Sequence, residues 1–197
     1  MNAAEKAASV RPVVWARRSV LRTAAVSLTA IAGSSVAAWV GAAEARAAGS
    51  PLKLLTVGEA RTLEAFGEAL APGATQAGIA HFVDHHLSVD AADSLLMLRY
   101  LDWPTPYAPF YKAGLGALEQ QIRRQLNTAP ADVTEAQWST FIGGMQGGDP
   151  AAWNGIPPGL FYFAVRSDAV DVVYGTEAGF ARLGIPYMAH IVPPSPW

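Results

Sequence analysis

The sequence predicts an all-α protein: a single irregular domain of five to six helices with an extended, proline- and aromatic-rich C-terminal arm. Three observations carry that prediction. Apolar residues recur at three- and four-residue spacing in successive stretches from residue 56 to residue 175. Two of the stretches open on a capping-box pattern, Thr56-Val57-Gly58-Glu59 and Thr134-Glu135-Ala136-Gln137. Proline or glycine stands where each stretch should end.

The first helix follows Thr56, buries Leu63, Phe66 and Leu70, and ends at Ala71-Pro72-Gly73. A second is expected from about Ala77 to Leu87, with Ile79, Phe82, Val83 and Leu87 on one side. Asp90 can cap a third that carries Leu95, Leu98 and Leu101 and stops before Pro104 and Pro106, because the residue before proline avoids helical geometry.

A fourth should run from roughly Phe110 to Leu126 on Tyr111, Leu115, Leu118 and Ile122, with Gln120, Gln121, Arg123 and Arg124 outside. Trp138, Phe141, Ile142 and Met145 define a fifth, which the glycines at 143, 144, 147 and 148 dissolve. Asp149 to Pro157 reads as a loop that places the Trp153 ring outside the bundle. Pro158, favoured in a first turn, opens a sixth helix that buries Phe161, Val165, Ala169 and Val172 before Tyr174-Gly175.

No period is sustained from Thr176 to Trp197. An apolar stretch with Pro186, Pro193, Pro194 and Pro196 is not expected to form a regular element and is costly to leave in water. The reading is therefore an N-terminal segment at 1–47, a helical domain at 48–175, and an arm at 176–197 that packs on the domain or on a partner.

Composition narrows the function classes. The 197 residues contain no cysteine, which excludes disulfides, c-type haem attachment, iron–sulfur ligation and a cysteine nucleophile within this chain. Six of the 14 basic residues lie in 1–47, so the rest of the chain is near −6, which argues against a nucleic-acid partner. Charged residues make up only 15%, below the roughly 25% typical of soluble domains, and so poor a charge density predicts contact with another protein.

Residues 1–47 have the order of an export signal. Arg17-Arg18 is followed by Leu21 and Arg22, then by an Ala/Ser/Val-rich run from Ala24 to Val40, then by Ala45-Arg46-Ala47, a small-x-small cleavage pattern. The consecutive arginines point to the twin-arginine translocase. The 17-residue run is at the short edge of a membrane span, so an uncleaved anchor stays open beside a cleaved signal. Either form places the folded domain outside the cytoplasm, in the periplasm.

One polar cluster could carry chemistry. His81 and His85 are one helical turn apart, with Asp84 and His86 beside them, and could share a metal. Phe82 stands where zinc proteases place a glutamate, and the remaining histidine, His190, is in the arm, so an exposed polar face or an interface are the other readings. The Gly143–Gly148 run lacks the strand-turn-helix setting of a nucleotide loop. No Gly-x-Ser-x-Gly elbow and no acid/base carboxylate pair stands out. No catalytic, cofactor-binding or metal residue is therefore assigned; the partner-contact candidates are the loop aromatics Trp103, Tyr107 and Trp153 and, in the arm, Phe180, Tyr187 and Trp197.

Four segments resemble the gluconate 2-dehydrogenase subunit 3 family: Leu63 to Pro72, the Gly78-Ile79-Ala80-His81-Phe82-Val83-Asp84 stretch, the Tyr111 to Leu118 helix, and Phe161 to Pro186 with its Tyr-Gly turn and Gly-x-Pro. The resemblance covers roughly Thr56 to the end, and departs after Gly175, where Thr176-Glu177 replace the usual Gly and Asn. It implies a cofactor-free, non-catalytic small subunit that supports the folding and co-export of a large FAD-dependent dehydrogenase of the glucose-methanol-choline type. It also implies that the partner oxidises a sugar, sugar acid or polyol and passes electrons to a cytochrome, such as a c-type cytochrome subunit.

Overall fold

A computed structural model of the chain describes residues 35–186, with side chains from residue 41. Among these residues there are eight α-helices and no strand. They are α1 (Ser35–Ala47), α2 (Val57–Leu70), α3 (Ile79–Ser88), α4 (Met97–Tyr100), α5 (Ala108–Leu126), α6 (Glu135–Met145), α7 (Pro158–Tyr174) and α8 (Glu177–Arg182). Short 3-10 turns at Pro130–Asp132 and Pro150–Trp153 link the later ones.

Local chemistry sets most of these boundaries. Both capping boxes form: the Glu59 amide donates to Thr56 Oγ1 at 3.2 Å and the Thr56 amide to Glu59 Oε2 at 2.7 Å, and Thr134 and Gln137 repeat the exchange at α6. Each satisfies two amides that have no partner within their own helix, worth about 1 kcal/mol per cap. Asn127, left-handed at φ 51°, closes α5 by returning its N–H to the Arg123 carbonyl.

Between α2 and α3 the Glu68 carboxylate gathers the turn, accepting from the amides of Gly73 at 2.7 Å and Thr75 at 2.9 Å. Burial alone would raise the Glu68 pKa, but those two bonds, the Thr75 hydroxyl and the nearby Arg182 charge together hold the carboxyl below its ordinary value. The helices then run close together: a Cβ on Gly67 would lie 2.8 Å from Ile79 Cδ1.

Helices α2 and α7 form the centre, and α3, α5 and α6 each pack against both. Phe161 on α7 is the hub. Its ring stacks on Phe66 of α2 at 6.0 Å and 4°, and meets Phe110 of α5 at 5.9 Å and Trp153 at 6.0 Å. Phe66 and Phe161 are fully buried, and such ring pairs add about 0.5–1.5 kcal/mol each beyond the area they bury. Gly114 on α5 makes room for the hub, since a Cβ there would sit 2.2 Å from Phe161 Cδ2.

Four expectations need correction. The third helix, expected to be capped by Asp90, is the single turn α4; Asp168 on α7 accepts the Met97 amide at 2.8 Å and so starts the helix six residues late, while Leu96 before it is extended. Leu101, expected in its apolar stripe, is 39% exposed, and Leu96 is buried instead. Gln121, expected outside, is buried and donates to the Ala152 carbonyl at 3.1 Å. The arm does contain a regular element: Thr176 Oγ1 accepts the Gly179 amide at 3.0 Å and caps α8, too short to show a period in sequence.

Candidate partner-docking surface

The histidine cluster is built as a clamp. Asp84, buried on α3, accepts three consecutive amides from the segment before α2: Lys53 at 2.7 Å to Oδ2, and Leu54 and Leu55 at 2.8 Å each to Oδ1. Both carboxylate oxygens are thereby engaged. His81 Nε2 lies 3.1 Å from the Ser50 carbonyl, as a donor in that tautomer. His86 Nδ1 accepts the Leu95 amide at 3.3 Å, and burial, with His85 beside it, lowers its pKa to about 4, so the ring is neutral.

The fourth member, His85, is exposed. Among the described residues no group of three or more His, Asp or Glu is placed to hold a metal ion. The signal missed in sequence is that a carboxylate four residues before the end of a short helix can bind a neighbouring stretch of bare backbone.

A second polar pair lies in the core. Asp168 is fully buried and receives the Tyr111 hydroxyl of α5 as well as the Met97 amide. Burial raises its pKa most, against the lowering effect of those two bonds, and leaves it at about 7; burial and the adjacent carboxyl push Tyr111 well above its ordinary value. Neither group reaches solvent, and together they tie α4 and α5 to α7. Periodicity gave no hint of this pair, because Asp168 falls inside an apolar helix.

The aromatic candidates divide. Trp153, expected outside the bundle, is 5% exposed: Asp149 Oδ1 accepts the Ala151 amide at 2.8 Å, winds 150–153 into a 3-10 turn and points the indole at Phe161. Tyr107 is buried at the start of α5. Trp103 is half-buried, edge-on to Phe110 at 5.0 Å. Phe180 on α8 is also half-buried. Tyr187 and Trp197, like Arg17, Arg18 and Leu21 of the export segment, lie outside the described residues.

The rings that do face solvent are others: Tyr100 at the end of α4, 63% exposed, and Phe163 on α7, 42% exposed, with Val170 two turns further along the same helix. Leu183 and Ile185 after α8 are half exposed. An open groove of about 890 Å³ runs between α2, α6 and α7, with Trp138 and Tyr162 in its wall and Arg61, Glu64, Glu68 and Arg166 along it. Its charged residues are of both signs.

The described chain is thus an all-α domain whose buried polar side chains hold its own backbone, and whose large apolar side chains are exposed at Leu54 and Val57 around the start of α2, around α4, on α7 and in the stretch after α8. The family model for gluconate 2-dehydrogenase subunit 3 matches residues 58–190, and the chain belongs to that family. Neither the comparison with curated proteins nor that with solved structures gives a match.

Proposed function

We propose that this chain is the non-catalytic small subunit of a dehydrogenase complex, and that it supports the folding, stability and export of a large FAD-dependent partner of the glucose-methanol-choline type. The family membership over residues 58–190 carries this reading. Supporting it, Asp84, His81 and His86 each bond backbone of their own domain, His85 is exposed, and Tyr111 and Asp168 bond each other. The flavin belongs to the partner in this reading, which oxidises a sugar, sugar acid or polyol and hands electrons to a cytochrome.

Arg17-Arg18 would address the assembled pair to the twin-arginine translocase, which passes folded proteins, so that one signal carries both chains into the periplasm. Exposed Tyr100, Leu101 and Phe163 suit burial against that partner, since large rings contribute most of the energy of such contacts.

The test is affinity purification of the tagged chain from the periplasmic and solubilised membrane fractions together, with an absorbance spectrum and mass identification of what accompanies it. The reading requires a larger protein carrying bound flavin. A colourless, solitary chain would refute it.

A further inference from the structure

Helix α1 and the segment after it are fastened to the domain at successive points. Gly78, left-handed at φ +83°, opens α3, and a Cβ there would lie 2.3 Å from the Ala42 carbonyl oxygen and 2.9 Å from the Ala43 nitrogen. Backbone therefore rests on backbone, and Ala42 is 4% exposed. One turn on, Arg46 Nε pairs with Glu64 Oε1 of α2 at 3.1 Å. The Ser50 carbonyl meets His81, and Asp84 holds the three amides from Lys53 to Leu55.

Ala45-Arg46-Ala47, the small-x-small pattern of a cleaved signal, lies between these fastenings. Its residues are helical, and the turn continues beyond them: the Ala48 amide donates to the Glu44 carbonyl and the Ser50 amide to the Ala45 carbonyl, each at 2.9 Å. Proteolysis concentrates where backbone is free of hydrogen bonds; Ala47, Ala48 and Gly49 are exposed, but the backbone on both sides of the bond after Ala47 is hydrogen-bonded and must open before it is cut.

We propose that the folded domain protects the peptide bond after Ala47 from signal peptidase, so that the chain keeps α1 and the residues before it instead of beginning at Ala48. The surface of α3 around Gly78 is then the seat of the chain's own N-terminal helix. This protection is a property of the folded chain and stands apart from the export and partner reading above.

The experiment compares three substrates of a purified type I signal peptidase, followed by intact mass: the folded full-length chain, its Ala42→Glu variant, and a synthetic peptide spanning residues 22–52. The peptide should be cut after Ala47, and the folded chain at least about tenfold more slowly, equivalent to ~1.4 kcal/mol of docking. Ala42→Glu puts a carboxylate at a position of α1 that is only 4% exposed and should restore the peptide's rate. It leaves every residue of α2 to α8 unchanged, and hydrogen exchange should show the amides of Ala48 to Ser50 protected in the wild type and exposed in the variant. Cutting of the wild-type chain at the peptide's rate would overturn the proposal. So would a peptide spared as fully as the chain, or a variant that exposes those amides and yet resists cleavage.

Discussion

The Tyr111 hydroxyl donates to the carboxyl of Asp168 inside the fully buried core, joining the first turn of α5 to α7. Because Asp168 also takes the Met97 amide, one side chain sets the positions of three helices. Its folded pKa of about 7 stands above the ordinary value of 3.8, and burial is the main cause. Between those values the folded chain holds a proton that the unfolded chain has lost. Stability from this group is therefore full below the ordinary value, declines as pH rises through the window, and levels off above about 7. Urea-unfolding midpoints measured across the window should show the decline, and Asp168→Asn should flatten it. An unchanged slope in the variant would assign the pH dependence elsewhere.

Tyr111→Phe removes one donor from Asp168 and leaves the ring in place. The loss should be about 1–3 kcal/mol, the usual cost of an unsatisfied buried acceptor. It should be larger above about pH 7, where the carboxyl is charged, than below its ordinary pKa. Equal losses at both ends would mean that the hydroxyl acts only through packing.

Gly114 and Gly116 lie on the same helix and predict opposite outcomes. A Cβ at Gly114 collides with the Phe161 ring at 2.2 Å, whereas at Gly116 nothing lies within 4 Å. Gly114→Ala should destabilise by roughly 1–3 kcal/mol through overpacking, even after the gain in helix propensity. Gly116→Ala should stabilise by about 0.5–1 kcal/mol. Thermal or urea unfolding of the pair decides, and a stabilised Gly114→Ala would show that the hub has slack.

Asp84 is graded by substitution. Asp84→Ala leaves three amides without their acceptor and should cost at least about 2 kcal/mol. Asp84→Asn keeps one carbonyl oxygen for Leu54 and Leu55 but turns an NH2 toward the Lys53 amide if oriented that way, so its loss should fall between. Hydrogen exchange at residues 53–55 reports the effect directly. Protection that survives in Asp84→Ala would mean that the clamp lies elsewhere.

The exposed rings offer a test that leaves the core alone. Tyr100→Ser and Phe163→Ser should change stability by less than about 0.5 kcal/mol, as exposed positions usually do. The double variant should nevertheless recover less flavoprotein in affinity purification than the wild type. Undiminished recovery would move the docking surface away from α4 and α7.

Much of the helical frame was legible because its causes are local. Thr56 with Glu59, and Thr134 with Gln137, name their helix starts within four residues of sequence, and Pro158 does the same for α7. The apolar stripes Leu63/Phe66, Tyr111/Leu115/Leu118/Ile122 and Phe161/Val165/Ala169/Val172 are buried as their spacing required. The surface was read less well. Trp153 and Tyr107 looked like loop aromatics free to meet a partner, and both are core residues, because an aromatic beside proline and glycine reads the same whether its turn faces inward or outward.

By itself the sequence determined the class of fold, the starts of α2, α6 and α7, and the family resemblance, since periodicity, caps and prolines act over a few residues. Only the tertiary structure decided that Asp168 begins α4 at Met97, that Asp84 binds the backbone of 53–55, and that α1 rests on Gly78. Each of these joins atoms about 30 or more residues apart in the chain. A carboxylate's choice among distant amides depends on which helices pack side by side, and no local pattern encodes that.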